Sequence, residues 1–105
     1  MKNAPALVLF LLSAATAVEA QAPRGPVHNA RAAILMARKI WISLYPAEAA
    51  KAGSEKTWLA EEKATRDGDI WEVGPRTPSP AAIGNGLIFR IASDDGHMLG
   101  YYNPQ

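Results

Sequence analysis

Apolar residues fall at Ala30, Ala33, Ile34, Ala37, Ile40, Trp41 and Leu44, and this three-and-four spacing gathers all seven on one side of an amphipathic helix. Asn29 stands where a side chain can cap the helix start. Pro46 ends the pattern, because it lacks an amide proton and disfavours helical geometry at Tyr45. Ala47 to Ala52 predicts a short second helix closed by Gly53. Beyond Gly53 the period shortens to two. Residues 56 to 65, KTWLAEEKAT, alternate loosely, with Trp58, Ala60 and Ala64 on one side. Residues 69 to 73 set Trp71 and Val73 together against Ile70 and Glu72, and residues 86 to 92 set Leu87, Phe89 and Ile91 against Ile88 and Arg90. Residues 97 to 103 are rich in types that favour a pleated surface. Asp67-Gly68 and Asp94-Asp95-Gly96 separate the runs and mark hairpin turns, since glycine supplies the positive φ of a tight bend. The pattern therefore predicts an α+β domain: one long N-terminal helix packed on a four-stranded antiparallel sheet, with Trp71 and Val73 on the face the helix covers.

The chain ahead of this domain has a different character. Lys2 precedes the apolar run Leu7 to Leu12, which leads into the small-residue stretch Ala15 to Ala20. A short positive start, an apolar core too short to span a bilayer and small residues at a candidate cut predict a secretory signal peptide over residues 1 to 20, with Ala17 as the alternative cleavage point. Residues 21 to 27, with Pro23 and Pro26, read as an extended tether, and residues 28 to 105 as a single domain. The expected location is periplasmic or secreted.

The sequence has no cysteine, which excludes disulfides, thiolate catalysis, cysteine-ligated metals and a lipid anchor at the cut. A mature chain of about 85 residues must then hold together by packing one modest core. Cleavage removes Lys2 and Glu19 together, so the formal net charge of +1 is unchanged. That balance gives no electrostatic footprint for nucleic acid or an anionic membrane. No apolar stretch outside the leader is long enough for insertion into a membrane.

Candidate chemistry is sparse. The acidic segment RDGDIWEVGP offers Asp67, Asp69 and Glu72 around Gly68, fewer oxygen ligands than a calcium loop supplies, and its flanks alternate as strands; a hairpin bend explains it without a metal. His28 lies beside the helix cap and His97 at a hairpin edge, neither with a second histidine at ligand spacing, although a carboxylate that oriented either one would make it a general base. Glu61 and Glu62 are expected on opposite faces of a strand, which prevents them from acting as a carboxylate pair. The GNG of residues 84 to 86 precedes a strand, whereas phosphate loops precede a helix, and no nucleophile elbow surrounds a serine. No catalytic residue, cofactor or metal is expected, and an enzyme is disfavoured.

In order, AILMARKIW followed by YP, a first strand, DGDIWEVG, a proline-containing loop ending in GNG, LIFRIA and DDGHMLGYY resemble bacterial immunity proteins with a nuclear-transport-factor-2-like fold, over residues 27 to 103. The most specific pieces are Trp71-Glu72-Val73-Gly74 and the Asp95-Gly96 turn before Leu99. Pro46 stands where members often carry glycine, and Asn85 separates Gly84 from Gly86 where members often pair their glycines. The resemblance implies the cystatin-like or nuclear-transport-factor-2-like version of the fold. It also implies an immunity function, in which an exported protein binds a cognate polymorphic toxin in the periplasm and neutralises it by occlusion, without a catalytic residue. A periplasmic PepSY-like binding or inhibitor module is the alternative, since it too sets a helix before a small sheet. A small enzyme in the style of ketosteroid isomerases would need a carboxylate and a tyrosine directed into an apolar cone, and the strand faces assign no buried carboxylate.

For a partner-binding surface the helix offers Arg31, Leu35, Arg38 and Ile42, spaced by four, three and four on the side away from the apolar seam. Two exposed aliphatics between two arginines combine apolar area with planar charge. Tyr101 and Tyr102 are a second candidate on the last strand. The leader generates the first prediction: cell fractionation followed by mass spectrometry should recover a periplasmic chain beginning at Gln21, and intact Met1 protein from the cytoplasm would contradict it.

Overall fold

The computed structural model describes residues 25 to 79 and 81 to 104, so the expected leader, its cleavage point and residues 21 to 24 of the tether lie outside the described residues. Helix α1 is Ala30–Leu44. Its start is fixed by Asn29, whose side-chain oxygen accepts from the Ala32 amide at 2.8 Å, satisfying one of the donors a helix start leaves free. Its end follows from Pro46: the Tyr45 amide makes the last bond, to the Trp41 carbonyl at 2.9 Å, and Pro46 has none to give. Ala33, Ile34, Ala37, Ile40 and Trp41 form its buried face, Leu44 is half-buried against the core, and Ala30 is exposed.

The predicted second helix at Ala47 to Ala52 is instead a 3-10 segment, Pro46–Lys51, led by its proline. The run after Gly53 departs further from expectation. Residues 56 to 65 are not one strand: Glu55–Glu61 is helix α2, and strand β1, Glu62–Asp67, begins only where α2 ends. Ser54 caps α2 by accepting from the Thr57 amide at 3.1 Å, and Leu59, Ala60 and Glu61 are strong helix formers. A tertiary contact completes it, because the buried Trp58 indole donates to the Ala52 carbonyl at 2.6 Å.

Strands β2, Ile70–Pro75, β3, Ile88–Ala92, and β4, Met98–Tyr102, follow, and the sheet runs β1-β2-β3-β4 with every neighbour antiparallel. The molecule is therefore α+β, but its helical part is divided between α1, the 3-10 segment and α2 rather than gathered in a single helix. A 3-10 turn, Ile83–Gly86, leads into β3, with Gly84 and Asn85 in left-handed conformation. Gly84 is needed there twice over: its φ is +65°, and a Cβ would lie 2.9 Å from the Trp58 ring.

Helix α1 packs chiefly on β1 and then on β2 and β3. The register sets Ala64 opposite Val73 and Val73 opposite Phe89, so that Val73, Phe89 and Ile91 form the covered face with Trp71 beside them. The tether is not free at its described end. Gly25 donates to the Asp95 carbonyl and Val27 to that of Ser93, while Val27 itself is buried and its carbonyl accepts from the Trp71 indole at 2.9 Å. Gly96 makes this seam possible, since a Cβ there would sit 2.8 Å from Met36 Cε and 3.1 Å from the Gly25 carbonyl oxygen.

Trp71 thus contributes both packing and a bond. Trp71→Ala should cost about 3–5 kcal/mol, the range for truncating a buried aromatic. Trp71→Phe, which keeps most of the bulk and strands the Val27 carbonyl, should cost about 1–3 kcal/mol. Urea unfolding measures both, and a loss under about 1 kcal/mol for the alanine variant would turn β2 over by one residue.

Candidate functional site

The helix stripe proposed as a partner-binding surface is partly engaged within the molecule. Arg38 donates from Nε and Nη2 to the Gly53 carbonyl, at 3.0 and 2.8 Å, which ties α1 to the turn before α2. Ile42 is half-buried and packs against the core. Arg31 is exposed and Leu35 half-buried. The two histidines also separate. His28 is exposed beside the helix cap, whereas His97 has its Nδ1 2.6 Å from Asp95 Oδ1, the same oxygen that accepts from the His97 amide at 3.0 Å. A carboxylate does orient this histidine, within a local turn of the β3–β4 hairpin. Asp67 and Asp69 flank Gly68 at the exposed β1–β2 bend, where Arg66 donates to the Gly68 carbonyl and lies 5.6 Å from the Trp71 ring. Among the described residues no three His, Cys, Asp or Glu side chains come together as a metal site, and no helix is long and apolar enough to cross a membrane.

One residue was missed, and it corrects the expectation that no strand face carries a buried carboxylate. Glu62 is 1% exposed, and neither carboxyl oxygen has a partner among the described residues. It opens β1 directly after α2 and shares the inward side of that strand with Ala64, while Lys63 points to the opposite face. Within β1 the only local signal for Glu62 is its shared parity with Ala64, because Trp58 and Ala60 belong to α2. Burial, and secondarily the charge of the adjacent Glu61, push its carboxyl up to about 8. On the α1 side, Trp41 Nε1 is a buried donor likewise without an acceptor. Where α1 ends near β4, the Tyr45 hydroxyl is raised above its usual range, first by burial and then by the Tyr101 hydroxyl beside it.

Among the described residues no helix covers the sheet's second face. Its side chains are Lys63 and Thr65 from β1, Glu72 and Gly74 from β2, and Ile88 and Arg90 from β3. Glu72 faces Arg90 across the ladder and pairs with its Nε at 3.4 Å. Between β1 and β3 this face holds a groove of about 330 Å³. Gly74 and Ile88 form its floor, Pro78 and Pro104 its rim, and Lys63, Thr65 and Glu72 its polar wall. The glycine at 74 is what lets the floor close, since the Ile88 side chain lies 3.0 Å from where a Cβ would be. A second depression, of about 290 Å³, lies around Glu61, Arg76 and Ile83. Chemically, the groove can receive an apolar side chain while Lys63 and Thr65 meet an acceptor. Groove volumes of a few hundred Å³ suit an anchoring side chain or a small ligand.

No family model matches the chain, and no curated protein and no solved structure matches it either.

The Glu62 carboxyl generates a pH prediction. The folded state keeps a proton that the unfolded chain releases above about 4.5. Folding is therefore penalised least by Glu62 below that pH, and stability falls as the pH rises toward about 8, at about 1.4 kcal/mol per pH unit. Urea melts from pH 5 to 8 should show wild type losing stability along this slope relative to Glu62→Gln. Parallel pH profiles for the two proteins would contradict it.

Proposed function

We propose that the protein is a partner-neutralising binder of the immunity type, exported to the periplasm, which occludes a cognate toxin with the open face of its sheet. The observation that carries this reading is the groove on that face. Strands supply its floor, and its lining combines apolar and prolyl groups with one cation, Lys63, and one carboxylate, Glu72, a mixture suited to an anchoring side chain at a protein interface. Occlusion asks nothing more of the surface than rigidity and complementarity. The order of helices followed by a four-stranded meander supports a cystatin-like or nuclear-transport-factor-2-like scaffold, a fold that by itself assigns no activity.

Helix α1 supplies the competing surface, through Arg31 and Leu35. The test is survival of cells producing the product of the neighbouring gene together with each variant, alongside a thermal melt of each purified variant. Lys63→Glu and Thr65→Arg, which alter exposed side chains of the groove wall, should weaken protection about tenfold or more with unchanged melts, because mismatched charge at an interface also leaves groups desolvated without compensation. Arg31→Glu should protect like wild type. Full protection by both groove variants with failure of Arg31→Glu would move the interface to α1. A neighbouring gene product that is harmless to cells lacking this protein would overturn the immunity reading.

A further inference from the structure

The two edges of the sheet are unlike. β1 presents Lys63, Arg66 and Asp67 along its edge, charges of the kind that discourage strand addition. β4 has no charged residue from Met98 to Tyr102, and the exposed large hydrophobics among the described residues, Leu99, Tyr101 and Tyr102, all lie on it. Among the described residues no strand pairs with the outer side of β4, and such an uncharged edge is a template for another strand. Two features limit where that strand can sit. The register with β3 slips at one end, pairing Ile91 with Met98 and Arg90 with Gly100, and a bulged edge turns away from an incoming strand. At the other end Pro104 has no amide to donate. The window between them is centred on Tyr101.

We propose that the protein pairs with a second copy of itself along β4, antiparallel and centred on Tyr101, so that two four-stranded sheets join as one with their open faces on the same side. In this register β4 is complementary to itself. Gly100 falls opposite the second copy's Tyr102, and nothing lies within 4 Å of where a Gly100 side chain would be, so the tyrosine ring has room to cover the bare backbone. No like charges are brought together, because this stretch has none. Tyr101 is already held for the contact, with its ring 6.1 Å from that of Phe89 and its hydroxyl beside that of Tyr45. A two-fold axis at Tyr101 makes the interface isologous, so it closes at a dimer rather than extending into a fibre. The inference is independent of which surface meets a toxin.

The absence of cysteine makes the test clean. Residues directly opposite in an antiparallel pair have Cα atoms about 4.5–5.5 Å apart, within the about 4.4–6.8 Å that a disulfide spans. Mild oxidation of the Tyr101→Cys variant should therefore give a covalent dimer, while Lys63→Cys on the other edge stays monomeric. Sedimentation of wild type should shift toward twice the mass between about 10 μM and about 1 mM, the range expected of so short a contact. Tyr102→Lys, exposed and outside the core, should remain monomeric with an unchanged melt. A wild type that stays monomeric over the whole range overturns the proposal, as do equal cross-linking of both cysteine variants and a Tyr102→Lys variant that dimerises like wild type. A monomeric wild type whose toxin protection is lost on Tyr102→Lys would assign the β4 edge to the toxin instead.

Discussion

The bond from the Trp71 indole to the Val27 carbonyl, 2.9 Å long and buried, joins the second strand to the segment that enters the first helix. Because side chains alternate along a strand, this placement of Trp71 determines every other assignment across the sheet. Val73 must face α1, and through the pairing of Ala64 with Val73 so must Ala64 and, two residues earlier, Glu62. By the same parity Glu72 and Gly74 turn to the uncovered side, where Arg90 and Ile88 meet them. A shift of one residue would exchange the two faces and place the tryptophan in water. The groove thus depends on a bond made on the other side of the sheet.

The two faces also differ in what they ask of the chain. The covered face is closed by Trp41, Trp58, Phe89 and Ile91, and the carboxyl sealed among such residues is held neutral rather than paired. A neutral acid costs less to bury than a carboxylate, yet two oxygens without partners still disfavour the fold. The open face carries Lys63 and the half-buried Glu72–Arg90 pair, whose solvent-accessible carboxylate keeps its contribution to stability small. Each sheet edge repeats the contrast, with charge along β1 and none along β4.

Helix α1 and strands β2 to β4 were legible in the sequence because their signals are local and agree: the Asn29 cap, the three-and-four seam, and the inward parity of Trp71, Val73, Phe89 and Ile91. Helix α2 was not. Trp58, Ala60 and Ala64 fit a loose alternation, and the features that decide for a helix are the Ser54 cap and the Trp58 bond to Ala52, the second of which depends on where the 3-10 segment sets Ala52. Arg38 looked free on the helix surface for the same reason, since its acceptor Gly53 lies fifteen residues away in a turn that no periodicity locates. The groove was invisible because Pro78 and Pro104, which rim it, belong to irregular segments whose path the pattern of apolar residues does not specify.

All of these placements converge on the side of β1 from which Glu62 projects. Carbon-detected magnetic resonance of the folded protein, following the Glu62 side-chain carboxyl through a pH titration, tests that placement directly. The expected midpoint is about 8. A midpoint in the ordinary carboxylate range near 4.5 would contradict the burial of the Glu62 carboxyl and with it the inward placement of that side of β1.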